Sequence, residues 1–204
     1  MPHTMTFEPR PVTLTGTHVR LEPLADSHLD DLLVAGGDAE LWRYLPSPPF
    51  ATIDDVRRWF DASRDEERTG SQVAFAIVHR AGGTAVGSTR FLEIRRPHRA
   101  LEIGWTWIGR DFQRTAVNTE CKLLLLRHAF EDLGTARMQF KTDARNERSQ
   151  RAIERIGGTR EGVLRHHMIM PDGHHRDSVY YSITAGQWPE VEAKLTTMLQ
   201  RADT

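Results

Sequence analysis

The 204-residue chain has one cysteine, Cys121, so no intramolecular disulfide can staple it, and a reducing compartment is the simpler expectation. Lysine is scarce as well. Of 27 basic residues only Lys122, Lys141 and Lys194 are lysines, and this arginine bias by itself carries no function. No apolar run approaches the ~18 residues of a membrane span, and the N-terminal MPHTMTFEPRP has no apolar stretch of a secretory kind. A formal net charge of −1 excludes a protein that is basic all over and drawn to nucleic acid or anionic membrane. These absences predict a cytoplasmic, soluble chain with no nucleic acid and no membrane among its partners. Gly-Lys-Ser/Thr is missing, which excludes a nucleotide P-loop. No internal repeat or low-complexity linker divides the chain.

What is present is enough for one core: 39% hydrophobic residues and five tryptophans. Residues 1–12 read as a flexible arm and 13–204 as a single domain. His18–Leu24 alternates like a strand. Asp26 or Ser27 caps a helix carrying Leu29, Leu32 and Leu33, and Asp38 starts a shorter one. Thr52 caps an amphipathic helix with Ile53, Val56, Trp59, Phe60 and Ser63 at spacings of three and four. Gln72–His79 and Ala85–Ile94 are strands joined at Gly82-Gly83. Leu101–Ile108 is a strand whose Leu101, Ile103, Trp105 and Trp107 should share one face, with Glu102, Gly104, Thr106 and Ile108 on the other. A helix follows from about Asn118 to Leu133, stopped by Gly134. Then come a strand (Arg137–Thr142), a helix (Glu147–Ile156), two strands (Glu161–Met170, His175–Thr184) and a last helix (Gln187–Arg201). The pattern predicts α+β architecture with a mostly antiparallel sheet flanked by helices.

Within this order, Leu101–Gly158 holds a strand feeding a helix N-terminus through a turn, twice. Thr115, Asn118 and Thr119 are cap-type residues beside Gln113 and Arg114. Free N–H groups at the positive end of a helix suit a pyrophosphate, although an ordinary cap would look the same. Cys121, beside the Leu123–Leu126 run, reads as a small core residue. His166-His167 and His174-His175 flank the Asp172-Gly173 turn, but strand neighbours point to opposite faces and no ligand set accompanies them, so no metal is expected. Trp42, Tyr44, Trp105 and Trp107 are the aromatic candidates for a binding pocket. Arg90, Arg95, Arg96 and Arg99 cluster around Pro97, where they steer an acidic substrate or solvate a strand end.

Three strings together resemble the GNAT acetyl-CoA-dependent N-acyltransferases, in particular their RimJ/RimL-like branch: EIGWTWI (102–108), the turn DFQRTA (111–116) with TECKLLLLRHAFEDLG after it, and Asn146-x-x-Ser149-x-x-Ala152-x-x-x-Ile156-Gly157-Gly158. The resemblance implies a GNAT-like central sheet with splayed strands, and transfer of an acetyl group from acetyl-CoA directly to a primary amine on a small molecule or peptide. It implies that the strand at Trp105, Trp107 and Ile108 offers backbone to the pantetheine arm. Gln113, Arg114, Thr115, Ala116, Val117, Asn118 and Thr119 would cradle the pyrophosphate, with Asn146 and Ser149 along the arm. Ser149 becomes the candidate acid for the departing thiolate, its alternative being a first-turn serine bonded to backbone. An ammonium must lose a proton before it attacks a thioester, and Glu102 is the first candidate base, with Glu161 second. The alternative for Glu102 is a cross-strand ion pair with Arg90 or Arg95. Trp42 and Tyr44 fall to the acceptor. The chain departs from the family pattern at Asp111, which replaces Arg or Gln, at Arg114, which replaces the first glycine, and at Ile153, which replaces a frequent acidic tyrosine. A second reading therefore stays open, a non-catalytic acyl-CoA-binding or regulatory module. Members of the family often form homodimers; no sequence feature marks an interface.

Overall fold

In the computed structural model, residues 7–201 are described. Alternating apolar residues build strands β1 (Leu14–Thr15), β2 (Val19–Pro23), β3 (Val73–His79), β4 (Thr84–Arg95), β5 (Ala100–Ile108), β6 (Arg137–Asp143), β7 (Thr159–Ile169) and β8 (His175–Thr184). The helices are α1 (Leu29–Ala35), α2 (Ile53–Arg68), α3 (Ala116–Arg127, prolonged by a π-helical turn, His128–Asp132), α4 (Glu147–Arg155) and α5 (Trp188–Gln200). Thr52 caps α2 as expected: its hydroxyl accepts from the Asp55 N–H while the Asp55 carboxylate accepts from the Thr52 N–H, a reciprocal box that satisfies two orphan donors.

The strands form one eight-stranded sheet in the order β1-β2-β3-β4-β5-β6-β8-β7, antiparallel except for β5 against β6. Each face carries its own core. On one face, Phe75, Ile77, Leu101, Ile103, Met138, Phe140, Val179, Tyr181 and Ile183 pack with Leu125 and Leu126 of α3, Ile153 of α4 and Leu195 of α5. On the other, Ala74, Ala76 and Val78 pack with Leu29 and Leu32 of α1 and Val56, Trp59 and Phe60 of α2.

Three expectations change. Residues 1–6 of the expected arm lie outside the described residues, but Phe7 is buried in the first core and Glu8 pairs with Arg96, so residues 7–12 are anchored. Helix α3 begins at Ala116 because Thr115, not a later residue, takes the capping position and accepts from the Val117 N–H. The alternation along β5 fails after Gly104. Trp105 takes a left-handed conformation, φ 50°, and the register against β4 slips between Arg90↔Gly104 and Ser88↔Trp107. One extra residue in β5 reverses the faces, so Trp107 joins the α1/α2 core while Ile108 joins Leu101 and Ile103.

A single carboxylate docks α3 to the first hairpin. Buried Glu120 accepts the backbone N–H groups of Thr17, His18 and Val19, each at 2.7 Å. Gly16 permits that approach, since a Cβ there would lie 2.3 Å from the Glu120 carboxyl carbon. Removing the acceptor strands N–H donors in a buried place. Glu120→Ala should therefore lower stability by at least about 3 kcal/mol, read as an earlier urea midpoint; an unchanged midpoint would show that the hairpin is held otherwise.

Candidate active site

Strands β5 and β6 pair only at Ala100↔Arg137, Leu101↔Met138 and Glu102↔Gln139. Beyond Glu102 they part, and the β6-facing backbone of β5 has no strand partner among the described residues. A cavity of about 680 Å³ occupies the gap. It runs through the sheet, because its walls include Ile103, Phe140 and Ile153 from the α3/α4/α5 face and Glu102, Lys141 and Arg176 from the opposite one. A slot this long, with polar groups at both ends and apolar walls between, suits an extended ligand meeting a second, smaller one.

The α3/α4 end is basic and rich in free donors. Arg114 stands where the family pattern has glycine, yet its backbone is left-handed, φ 61°. The turn thus keeps a path a glycine would give it, at a strain of about 1 kcal/mol, and the exposed arginine side chain lines the cavity. Thr115 Oγ1 donates to the Phe112 carbonyl and accepts from Val117, while the N–H groups of Ala116 and Asn118 precede the helix's own ladder. Gln113 is fixed between the Ile108 carbonyl and Arg148. Arg148, Arg151 and Arg155 of α4 line the same end. Their spacings of three and four put them on one helix face, a signal present in the sequence and not used there.

Asn146 caps α4, accepting the Ser149 N–H at 3.0 Å. The Ser149 hydroxyl itself has no hydrogen-bond partner among the described residues, and the residue lines the cavity. The backbone-bonded alternative for its side chain therefore fails. Lys122, also overlooked in the sequence, reaches from α3 to the Thr106 hydroxyl at 2.8 Å. Full burial pulls its pKa down to about 8.

Glu102 is 1% exposed at the other side of the gap. Gln139 Nε2 donates to it at 2.7 Å and Lys141 Nζ lies at 3.5 Å. Burial pushes its carboxyl above the usual carboxylate range, against the opposing pull of Lys141 and Gln139. The expected partners are engaged elsewhere: Arg90 is stacked between Trp59 and Trp105 and bonded to Gln72, and Arg95 reaches Gln139 at 3.3 Å. Arg96 pairs with Glu8, so the arginines around Pro97 do not converge on the cavity.

Of the remaining candidates, Tyr44, Trp105, Trp107, Ile108, Thr115, Asn118 and Asn146 line the cavity. Trp42 does not; it is 3% exposed, its ring 4.4 Å from Phe50 and 5.3 Å from Trp107, and it serves the α1/α2 core. Ala116, Val117 and Thr119 belong to the first turn of α3 without facing the cavity, and Val117 is core. Glu161 sits on β7 away from the cavity, gripped by both guanidinium nitrogens of Arg137 and by Ser182. The Arg137 hydrogen bonds hold its carboxyl down at about 2, which makes it a poor proton acceptor. Cys121 is buried in the core, and burial raises its thiol pKa to about 12. His166 and His175 meet across the β7–β8 hairpin, rings 4.9 Å apart. No group of three or more His, Cys, Asp or Glu is placed to hold a metal among the described residues, and no helix there is long and apolar enough to cross a membrane.

A parted strand pair, a basic helix-end cradle and a carboxylate across the gap define an acyltransferase architecture, and the comparisons with known proteins agree. Residues 18–159 match the family model described as "Acetyltransferase (GNAT) domain". A crystal structure titled as a GCN5-related N-acetyltransferase from Brucella melitensis is 28% identical, with a TM-score of 0.88 over 94% of this chain and 87% of that one. Mycobacterium smegmatis RimJ, solved with CoA-disulfide, shares the fold at 20% identity, with a TM-score of 0.77 over 92% of this chain and 95% of that one. The Bacillus subtilis protein named "Putative ribosomal N-acetyltransferase YdaF" is 32% identical over 106 residues, 52% of this chain and 57% of that protein. The chain belongs to the GNAT family and is an acetyl-CoA-dependent N-acetyltransferase.

The cradle can be tested separately from chemistry. Arg114→Ala keeps a non-glycine residue at the left-handed position but removes the charge. CoA affinity should fall about tenfold or more with the melting temperature unchanged, measured by calorimetric titration. Unaltered affinity would mean that Arg114 does not touch the phosphates.

Proposed function

We propose that the protein moves an acetyl group from acetyl-CoA directly to a primary amine of a small-molecule or peptide acceptor, both substrates bound together. The observation that carries this reading is the pairing of Glu102 and Ser149: two proton-handling groups in one cavity, on opposite sides of the β5–β6 gap. The thioester supplies the activated acyl group; the chain's residues position it and move protons. Gln113, Arg114, Thr115 and Asn118 would hold the pyrophosphate end, with Asn146 and the free backbone of β5 along the pantetheine.

Glu102, ionised, takes the proton from the acceptor ammonium, directly or through water. The neutral amine's lone pair then attacks the thioester carbonyl. Backbone N–H groups of β5 beyond Glu102 stabilise the oxygen as charge gathers on it. When the C–S bond breaks, the attacking nitrogen gives up its surplus proton to Ser149 Oγ as the Ser149 hydroxyl passes its own proton to the departing thiolate, so the serine ends neutral and the products are the amide and free CoA thiol. Cys121, buried and with its thiol pKa near 12, carries no acyl group, which supports transfer in one step.

The pH dependence has a definite sign. Below its raised pKa Glu102 holds a proton and cannot accept another, so kcat/KM should climb as pH rises through a value above the ordinary 4.5. Glu102→Gln should cut kcat about 10²- to 10⁴-fold, delete that limb and recover partly at high pH, where the free amine is already neutral. Ser149→Ala should lower kcat more than it raises the KM for acetyl-CoA. Initial rates from pH 5 to 10 against a panel of amines check both. A Glu102→Gln enzyme with the wild-type profile would remove Glu102 as base, and full turnover by Ser149→Ala would remove the serine as acid. Saturable CoA binding without turnover of any amine would leave the non-catalytic module standing.

A further inference from the structure

The acceptor side of the cavity contains a buried cation that the chemistry above does not use. Arg176 of β8 lies opposite Met168 of β7, on the sheet face that also carries Glu102 and Lys141. Val179, Tyr181 and Ile183 of the same strand point to the other core. Arg176 is 5% exposed and lines the cavity. Among the described residues its one hydrogen bond is a long one, from Nη1 to the Tyr44 carbonyl at 3.4 Å. Its Nε is buried with no partner.

Burying a guanidinium without a counter-ion is costly, and the two carboxylates whose charges act on it are already engaged. Asp143 spends both oxygens on Arg145, at 2.8 Å through Nη2 and 3.1 Å through Nε, and takes the Arg145 N–H as well. Glu102 is held by Gln139 and Lys141. Above Arg176, the Tyr44 ring is flanked by the guanidinium groups of Arg43 and Arg145, 5.5 and 5.8 Å from its centre. This end of the cavity therefore has one guanidinium fork matched to no carboxylate among the described residues: its Nε is enclosed without a partner, and the residue lines the cavity. That fork matches the planar, two-oxygen geometry of a carboxylate.

We infer that Arg176 is a carboxylate-recognition residue and that the acceptor is an amino acid or similar small molecule bearing a free carboxylate beside its amine. The carboxylate docks on Arg176 below Tyr44, and the amine then faces Glu102 across the same sheet surface. This inference rests on the acetyl-transfer reading for its chemistry, but its binding step does not.

The test compares amino acids with their own carboxamides and decarboxylated amines, and with short peptides ending in an amide. Initial rates with acetyl-CoA should favour the free acids about 10–100-fold in kcat/KM. Arg176→Met should bring the acid down to the level of its amide and leave the KM for acetyl-CoA unchanged, whereas Arg176→Lys should keep part of the preference. Calorimetry of N-acetylamino acids and their amides on the CoA-loaded wild type reads the same selectivity without turnover and without any variant. Selective binding of the acids with no amine acetylated would refute the transfer reading and keep the subsite. Equal binding of acid and amide, binding of no panel member, a wild type that prefers peptide amides, or a preference that survives Arg176→Met would each overturn it.

Discussion

Everything at the site depends on β5 leaving β6 after three paired residues. A parallel pair that continued would seal its backbone groups in a ladder and close the sheet. Parting instead leaves polar backbone along one edge inside the molecule, where it demands a partner. A linear ligand with amide groups of its own can supply that partner. The same gap connects the two faces of the sheet, so a ligand anchored among α3 and α4 can be reached by an acceptor lying against Glu102 and Arg176.

The second constraint is local strain. Trp105 and Arg114 both adopt left-handed backbone where glycine would be at ease, each at a cost of order 1 kcal/mol. At Trp105 the strained residue is the bulge that flips β5, sending Trp107 into the α1/α2 core and turning Thr106 toward Lys122 of α3. At Arg114 the strain keeps the cradle's shape while placing a charge at its rim. In both places the side chain lines the cavity, and the cost is borne where ligand contact can offset it.

This explains what could be read in the sequence. Helices and strands followed from apolar spacing, and the Thr52 cap of α2 and the Gly134 stop followed from cap chemistry, because these are short-range matters. The family strings pointed to Gln113–Thr115, Asn118, Asn146 and Ser149, which line the cavity. The face reversal in β5 was not, because nothing in GWTWI announces that the tryptophan takes φ 50°. Glu102 was singled out as a candidate base, and the only partners considered for it were Arg90 and Arg95, in the alternative reading. The actual ones, Gln139 and Lys141, come from β6, whose adjacency to β5 is a tertiary fact. Glu161 stood as the second candidate base because nothing in its neighbourhood of the sequence shows that Arg137, 24 residues away, holds it. Charge partnership across a sheet is set by strand order, which alternation alone does not encode.

Burial also sets how these charges behave with pH. Glu102 has its carboxyl raised, so the folded protein binds that proton more tightly than the unfolded chain does. Ionising it costs stability, and the cost grows as pH rises from the ordinary carboxylate range through the raised value. Asp143 is the opposite case: hydrogen bonds from Arg145 outweigh burial and hold its carboxyl low, so its contribution is present above the ordinary range and is lost only as acid protonates it. Two carboxylates on neighbouring strands thus differ in kind. Asp143, clasped by an adjacent arginine, is a structural anion that fixes the loop leading to Asn146. Glu102, held by one amide and a more distant ammonium, is left able to exchange a proton, and it is the one that faces the gap.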